Sequence, residues 1–211
     1  MSSAARVTRP PAPVAPLPAA VTALPVRRFT LGEYHQLLDI GILNDRDPYE
    51  LLNGVITPKM PQNTPHAGSS AKLEKRLWRL LPDEWLLRTQ KPLSIPGSES
   101  EPEPDLLICR GPETRYDGRH PRPKDVAVVV EVADRSVPLD TGEKLRTYAA
   151  ARIPEYWVVN IPDRRVEVYT RPRGGKNPAY RSHVVYAPGD VVPVVVGGAE
   201  LGAVAVADLL P

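Results

Sequence analysis

Two carboxylates beside apolar runs hold the chemistry of this chain. Asp105 follows Pro104 and leads Leu106-Leu107-Ile108-Cys109, and Glu131 ends the run Val126-Ala127-Val128-Val129-Val130. Both runs are short, β-branched or aliphatic, and bounded by Pro, Gly or Asp, which is the pattern of buried strand rather than helix. An unpaired buried carboxylate is costly, so each acid needs a cation or a hydrogen-bond partner. One bound divalent cation would satisfy both. Two oxygen donors suit Mg²⁺ or Mn²⁺, hard ions that keep several waters and bind phosphate. Lys144 follows in the periodic segment Thr141 to Arg152, which should pack against those strands. Glu50, on Tyr49-Glu50-Leu51-Leu52, is either a third acid near the ion or an edge-strand charge facing water.

A proline-aspartate before a strand, a second acidic strand and then a lysine is the order found in metal-dependent nucleases with a PD-(D/E)xK site. The wider sequence resembles the restriction-endonuclease family called Uma-two, or domain of unknown function 820. The resemblance rests on VVVEVADRSVPLDTGEKLRTYAAARIPEYWVVN, with YELLNGVI upstream and PEPDLLI between, and runs from Phe29 to the C-terminus. It implies a restriction-endonuclease-like core, a mixed central sheet flanked by helices. It also implies metal-dependent hydrolysis of phosphodiester bonds in nucleic acid, with DNA the expected form, and is compatible with a homodimer. Carried over residue by residue, Asp105 and Glu131 become the metal ligands, Glu50 the glutamate of the YEL-x-x-G block, and Lys144 the catalytic cation. One position departs. Ala133 stands two residues after Glu131, where the motif has its lysine. Hydrolysis then needs Lys144 as a substitute. A different class of function is a weak or inert nucleic-acid-binding, toxin-like accessory protein that keeps the fold. A third is a metal-independent structural protein, in which Asp105 and Glu131 pair with arginines.

The elements that must position these groups can be read in order. Thr30-Leu31-Gly32-Glu33 has the form of a capping box, and Tyr34, Leu37, Leu38 and Ile42 recur at helical spacing, with Gly41 the expected end of the helix. Asn53-Gly54 between apolar runs predicts a tight hairpin. Thr64 to Leu81 reads as a helix with Leu73, Leu77, Leu80 and Leu81 on one face. Lys72, Lys75 and Arg76, largely on the other face, are candidate phosphate contacts, set against an ordinary solvated face. His66 at the helix start reads as a cap or surface residue. Trp85 to Thr89 predicts a strand, and the following loop to Glu103 a solvated negative edge, with Glu103 a weak candidate for metal assistance. Arg110 to Lys124 is a surface loop in which Arg115 and Arg119 could also meet phosphate. Asp140 or Thr141 is the expected N-cap of a helix through Ala151. Strands are expected over 155–160, 165–169, 180–186 and 191–196, with a small closing segment over 201–210. The composite is α/β, a mixed sheet of seven or so strands with helices packed on it.

The bulk of the chain fits this reading. At 211 residues, with 25% charged and 42% apolar side chains, it is sized for one domain with an appendage. The expected division is a Pro- and Ala-rich tail over 1–27 and a nuclease domain over 28–211. The net charge is +2, yet the first 28 residues hold four arginines and no acid, so the remainder is −2. Bulk charge therefore gives no argument for nucleic-acid binding, and any such surface must be a local patch. The single cysteine, Cys109, excludes an internal disulfide and fits a reducing cytoplasm and a place in the core. The prolines before Val26 interrupt any signal-like apolar run, and no run approaches 18 apolar residues, so no membrane span is expected.

Overall fold

The computed structural model describes residues 26–44 and 46–211. The expected tail thus lies outside the described residues, apart from Val26 and Arg27. Helix α1 (Leu31–Asp39) begins with the predicted capping box: Thr30 Oγ1 accepts from the Glu33 N–H at 3.1 Å, and Glu33 Oε2 from the Thr30 N–H at 2.9 Å. Strands β1 (Tyr49–Leu52) and β2 (Val55–Pro58) form an antiparallel hairpin. Its turn residues Asn53 and Gly54 have φ of 49° and 75°, as such a two-residue turn demands. Helix α2 (Thr64–Trp78) is capped by Asn63, whose Oδ1 accepts from the His66 N–H at 3.1 Å.

The centre is a six-stranded sheet of β3 (Trp85–Thr89), β4 (Leu106–Arg110), β5 (Val126–Ala133), β6 (Glu155–Asn160), β7 (Arg165–Arg173) and β8 (Ala179–Tyr186), in that order. Every neighbouring pair is antiparallel except β5–β6. A parallel pair needs a crossover, and the helical segment between these strands supplies it. That segment, α3, is an α turn (Val137–Leu139), a π turn (Asp140–Lys144) and an α-helix (Leu145–Ala150).

Strands β9 (Val191–Val196) and β10 (Ala199–Ala205) pair only with each other. Among the described residues the expected sheet of seven or so strands is therefore six, with two separate hairpins. Alternation explains why β9 does not extend the sheet. Val192, Val194 and Val196 are buried in the core beneath the sheet, so β9 packs on a face and not at an edge.

The core has two layers, sorted by strand parity. On one face, Leu106, Ile108, Val128, Val130, Val132, Trp157 and Val159 meet Leu73 and Leu77 of α2 and the β9–β10 hairpin. On the other, Leu107, Cys109, Val129, Ala133, Tyr156 and Val158 meet Tyr148 of α3. Cys109 is fully buried, as expected. Glu131 shares the parity of Val129 and Ala133. Its side chain therefore belongs to the layer that α3 covers.

Candidate active site

Parity and the crossover together assemble an acidic cavity of about 220 Å³, lined by Glu50, Glu103, Asp105, Glu131, Asp140 and Lys144, with Lys59, Gln62, His66 and Gln90 around them. Glu131 lies inside β5 rather than at its end, because pairing with β6 continues through Ala133 and Asn160. Its Oε1 accepts from Lys144 Nζ at 3.0 Å and from the Tyr148 hydroxyl at 2.8 Å. Among the described residues its Oε2 takes no hydrogen bond. Lys144 Nζ also lies 3.3 Å from Glu50 Oε1, and Glu50 Oε2 accepts from the Glu103 N–H at 3.0 Å. Glu50 is only 2% exposed, so it is not a charge facing water.

Asp105 stands immediately before β4. Its Oδ2 accepts from the Val132 N–H at 2.8 Å and lies 3.1 Å from His66 Nε2. Its Oδ1 meets only a long contact from Gln62 Nε2, at 3.4 Å. Asp105 and Glu131 thus each have one oxygen anchored and one left toward the cavity. Neither pairs with an arginine among the described residues, so the pairing expected of a purely structural protein is not what holds them.

Ala133 is fully buried in the layer under α3, two residues along the same face from Glu131. A lysine there would share that face. The ammonium that actually meets Glu131 comes from α3, which packs on the same layer. In the conformation present, no three His, Cys, Asp or Glu side chains among the described residues gather as a ready-made metal cage.

Burial dominates the electrostatics. It pushes the carboxyl of Glu131 well above the ordinary range, against the pull of the Lys144 charge, and pushes that of Asp140 up to about 6. The Tyr148 hydroxyl is likewise raised by burial and by the neighbouring Glu131. For Lys144 burial acts against the charged form, but the charges of Glu131, Glu50 and Asp140 outweigh it and raise its pKa above the usual value. His66 follows the same logic: burial opposes its protonation, and the Asp105 hydrogen bond and charge reverse the balance upward. The cavity is one of excess negative charge held in low dielectric by few cations.

Two local readings of the sequence are corrected here. Asp140 is not an N-cap: helical backbone already begins at Val137, and Asp140 is 2% exposed on the inner side of the π turn. His66 is not a cap or surface residue, since Asn63 caps the helix and the imidazole points at Asp105. Sequence reasoning also missed Lys59, Gln62 and Gln90. The signal for Asp140 was present as Asp140-x-x-x-Lys144-x-x-x-Tyr148, three polar groups at one-turn spacing beside a buried strand. None of the five candidate phosphate contacts lines the cavity. Lys72 Nζ donates to the Leu210 carbonyl at 2.6 Å and Arg76 pairs with Asp208 at 2.9 Å. Arg119 pairs with Asp125 at 2.7 Å, with Arg115 4.0 Å from the same acid, while Lys75 lies in the last turn of α2. Glu103 is engaged by Lys59 Nζ at 2.8 Å.

A six-stranded mixed sheet, helices on its faces and an acidic cavity that holds Lys144 and Lys59 define a chain of the nuclease fold. The particular family follows from the sequence: residues 31–205 match the model of the Uma2 family, described as "Putative restriction endonuclease", and the chain belongs to that family. A similar solved structure is titled as that of "a putative nuclease belonging to DUF820" from Anabaena variabilis ATCC 29413. It is 14% identical, with a TM-score of 0.61 over 86% of this chain and 97% of that one. At such identity the likeness is one of fold. No curated protein matches the chain. No helix among the described residues is long and apolar enough to cross a membrane.

Proposed function

We propose that this chain hydrolyses phosphodiester bonds in DNA with the help of Mg²⁺ or Mn²⁺. The observation that carries this reading is that Asp105 Oδ1, met only by the long Gln62 contact, and Glu131 Oε2 belong to side chains lining one cavity with Lys144, whose ammonium holds Glu131 Oε1. DNA is the substrate the family description favours.

The donor set fits a hard divalent cation. Five carboxylates, Glu50, Glu103, Asp105, Glu131 and Asp140, face Lys59, Lys144 and His66, so an added positive charge relieves their repulsion. Asp105 and Glu131 are the residues that would hold the ion. When bound, it supplies Lewis-acid neutralisation of phosphate charge and acidifies a water. Lys144 places a fixed positive charge where the phosphate gains negative charge. Its raised pKa keeps it protonated at neutral pH, so it stabilises charge and does not act as a base. Glu50 orients Lys144 and braces the segment leading to Asp105, through the Glu103 N–H. Lys59, partly exposed at the mouth, is a further cation within reach of a phosphate oxygen. Cutting both strands of a duplex calls for two such cavities, which a homodimer would supply.

The test is cleavage of supercoiled plasmid by the wild type and by Glu131→Gln, with Mg²⁺, with Mn²⁺ and with a chelator. Nicking that needs the ion and vanishes in the variant is expected. Cleavage unaffected by the chelator contradicts the proposal. DNA binding without cleavage under any ion favours the inert accessory reading.

A further inference from the structure

We infer that His66 is a positioning residue for Asp105, holding one carboxylate oxygen so that the other faces the ion and the substrate. This rests on the proposed metal-dependent reading of the cavity. The carboxylate of Asp105 is anchored from two elements: the Val132 N–H of β5 at 2.8 Å and His66 Nε2 at 3.1 Å, both on Oδ2. Convergence on one oxygen leaves Oδ1 as the coordinating atom. The two side chains are 13% and 12% exposed, so water competes weakly for the contact.

The helix turn that carries the imidazole is itself held. Asn63 caps the helix through the His66 N–H, and its Nδ2 donates to Asp134 Oδ2 in the segment after β5. The first turn of α2 is therefore pinned at both Asp105 and the end of β5. His66 Nδ1 faces Ser70 Oγ one turn on, at the long distance of 3.5 Å. The backbone adds rigidity on the other side, where the Asp105 carbonyl accepts from the Gln90 N–H at 3.2 Å. Asp105 precedes its strand, and the imidazole joins the Val132 N–H in restraining its carboxylate. A ligand oxygen left free to swing must be ordered when the ion binds, which weakens affinity.

The experiment is calorimetric titration of Mn²⁺ into the full chain as wild type, Glu131→Gln, His66→Ala and His66→Gln. Plasmid cleavage and melting temperature without metal are measured alongside. The Gln amide can donate from near the place of Nε2. His66→Ala should weaken Mn²⁺ binding by about tenfold or more and lower kcat, with KM for DNA unchanged. His66→Gln should recover most of both. If the wild type binds no Mn²⁺, this inference falls together with the reading beneath it. If the wild type binds, Glu131→Gln does not, and His66→Ala binds within twofold of wild type, this inference alone falls. Equal loss in both His66 variants, or failure of both to fold, shows that His66 only ties α2 to the sheet and overturns it as well.

Discussion

Lys144 is the residue on which the others depend, because its ammonium is the counter-ion for two buried carboxylates. Lys144→Met keeps the stem and removes the charge, leaving Glu50 and Glu131 uncompensated. Breaking such a buried cluster from one side costs about 3–5 kcal/mol. The metal-free variant should melt well below the wild type, and Mn²⁺ should raise its melting temperature by more than it raises that of the wild type, since the ion restores the missing charge. An equal metal response in the two proteins would contradict this. Asp140 gives a pH signature. Its folded pKa is raised to about 6 from an ordinary 3.8, so the folded state holds the proton more tightly than the unfolded chain. Its contribution to stability is complete below the unfolded value and is lost as pH rises through the folded one. The size is on the order of 3 kcal/mol. In chelator, the melting temperature of wild type minus that of Asp140→Asn should fall between about pH 4 and about pH 7. A constant difference would show that Asp140 does not titrate there. At this scale Asp105 and Glu131 were legible, because acids beside buried apolar runs violate the pattern. His66 was not, since its partner lies 39 residues away and no local spacing records the contact.

The elements position these groups through joints that are local in sequence but act across the fold. The β1–β2 turn is the clearest. Asn53 Nδ2 donates to Glu143 Oε1 at 2.6 Å and to Thr147 Oγ1 at 3.0 Å, so the hairpin tip docks on α3 beside Lys144. Gly54 makes this possible. At φ +75°, a Cβ there would meet Arg28 Cβ at 2.7 Å and the Phe29 carbonyl at 2.8 Å. Gly54→Ala should therefore cost about 1–3 kcal/mol, a fall in melting temperature of about 2–12 °C for a domain of this size. It should also reduce activity by displacing Glu50 from Lys144. A variant as stable and active as wild type would show that the hairpin does not set the site. The Asn-Gly turn was readable from two residues, but not the face that Glu50 takes. Four residues of strand can bury either side, and the docking partner decides. The π turn was equally hidden, because its wider winding depends on packing rather than composition.

At the scale of the whole molecule, β4, β5 and β6 were legible as short apolar runs bounded by Pro, Gly or Asp, and β7 by the alternation of Val166 and Val168 with Glu167. Their partnership was less so. Val191 to Val196, valine at every position but Pro193, suits a sheet edge as well as a hairpin lying on a sheet face, and only the core beneath it chose the second. Residues 1–25 hold six prolines and no aromatic side chain and lie outside the described residues. Their deletion should leave the melting temperature within a degree, and a fall of several degrees would show that they pack on the domain.

In the proposed reaction Lys144 supplies, from the crossover, the cation absent at Ala133. Single-turnover cleavage of plasmid at saturating Mn²⁺ tests it most directly, comparing wild type, Lys144→Met and Arg146→Ala. Arg146 pairs with Glu143 on the exposed side of α3 and serves as the control. A loss of about a hundredfold or more is expected in Lys144→Met, with Mn²⁺ still bound and Arg146→Ala at wild-type rate. Cleavage by Lys144→Met within a few-fold of wild type would contradict it.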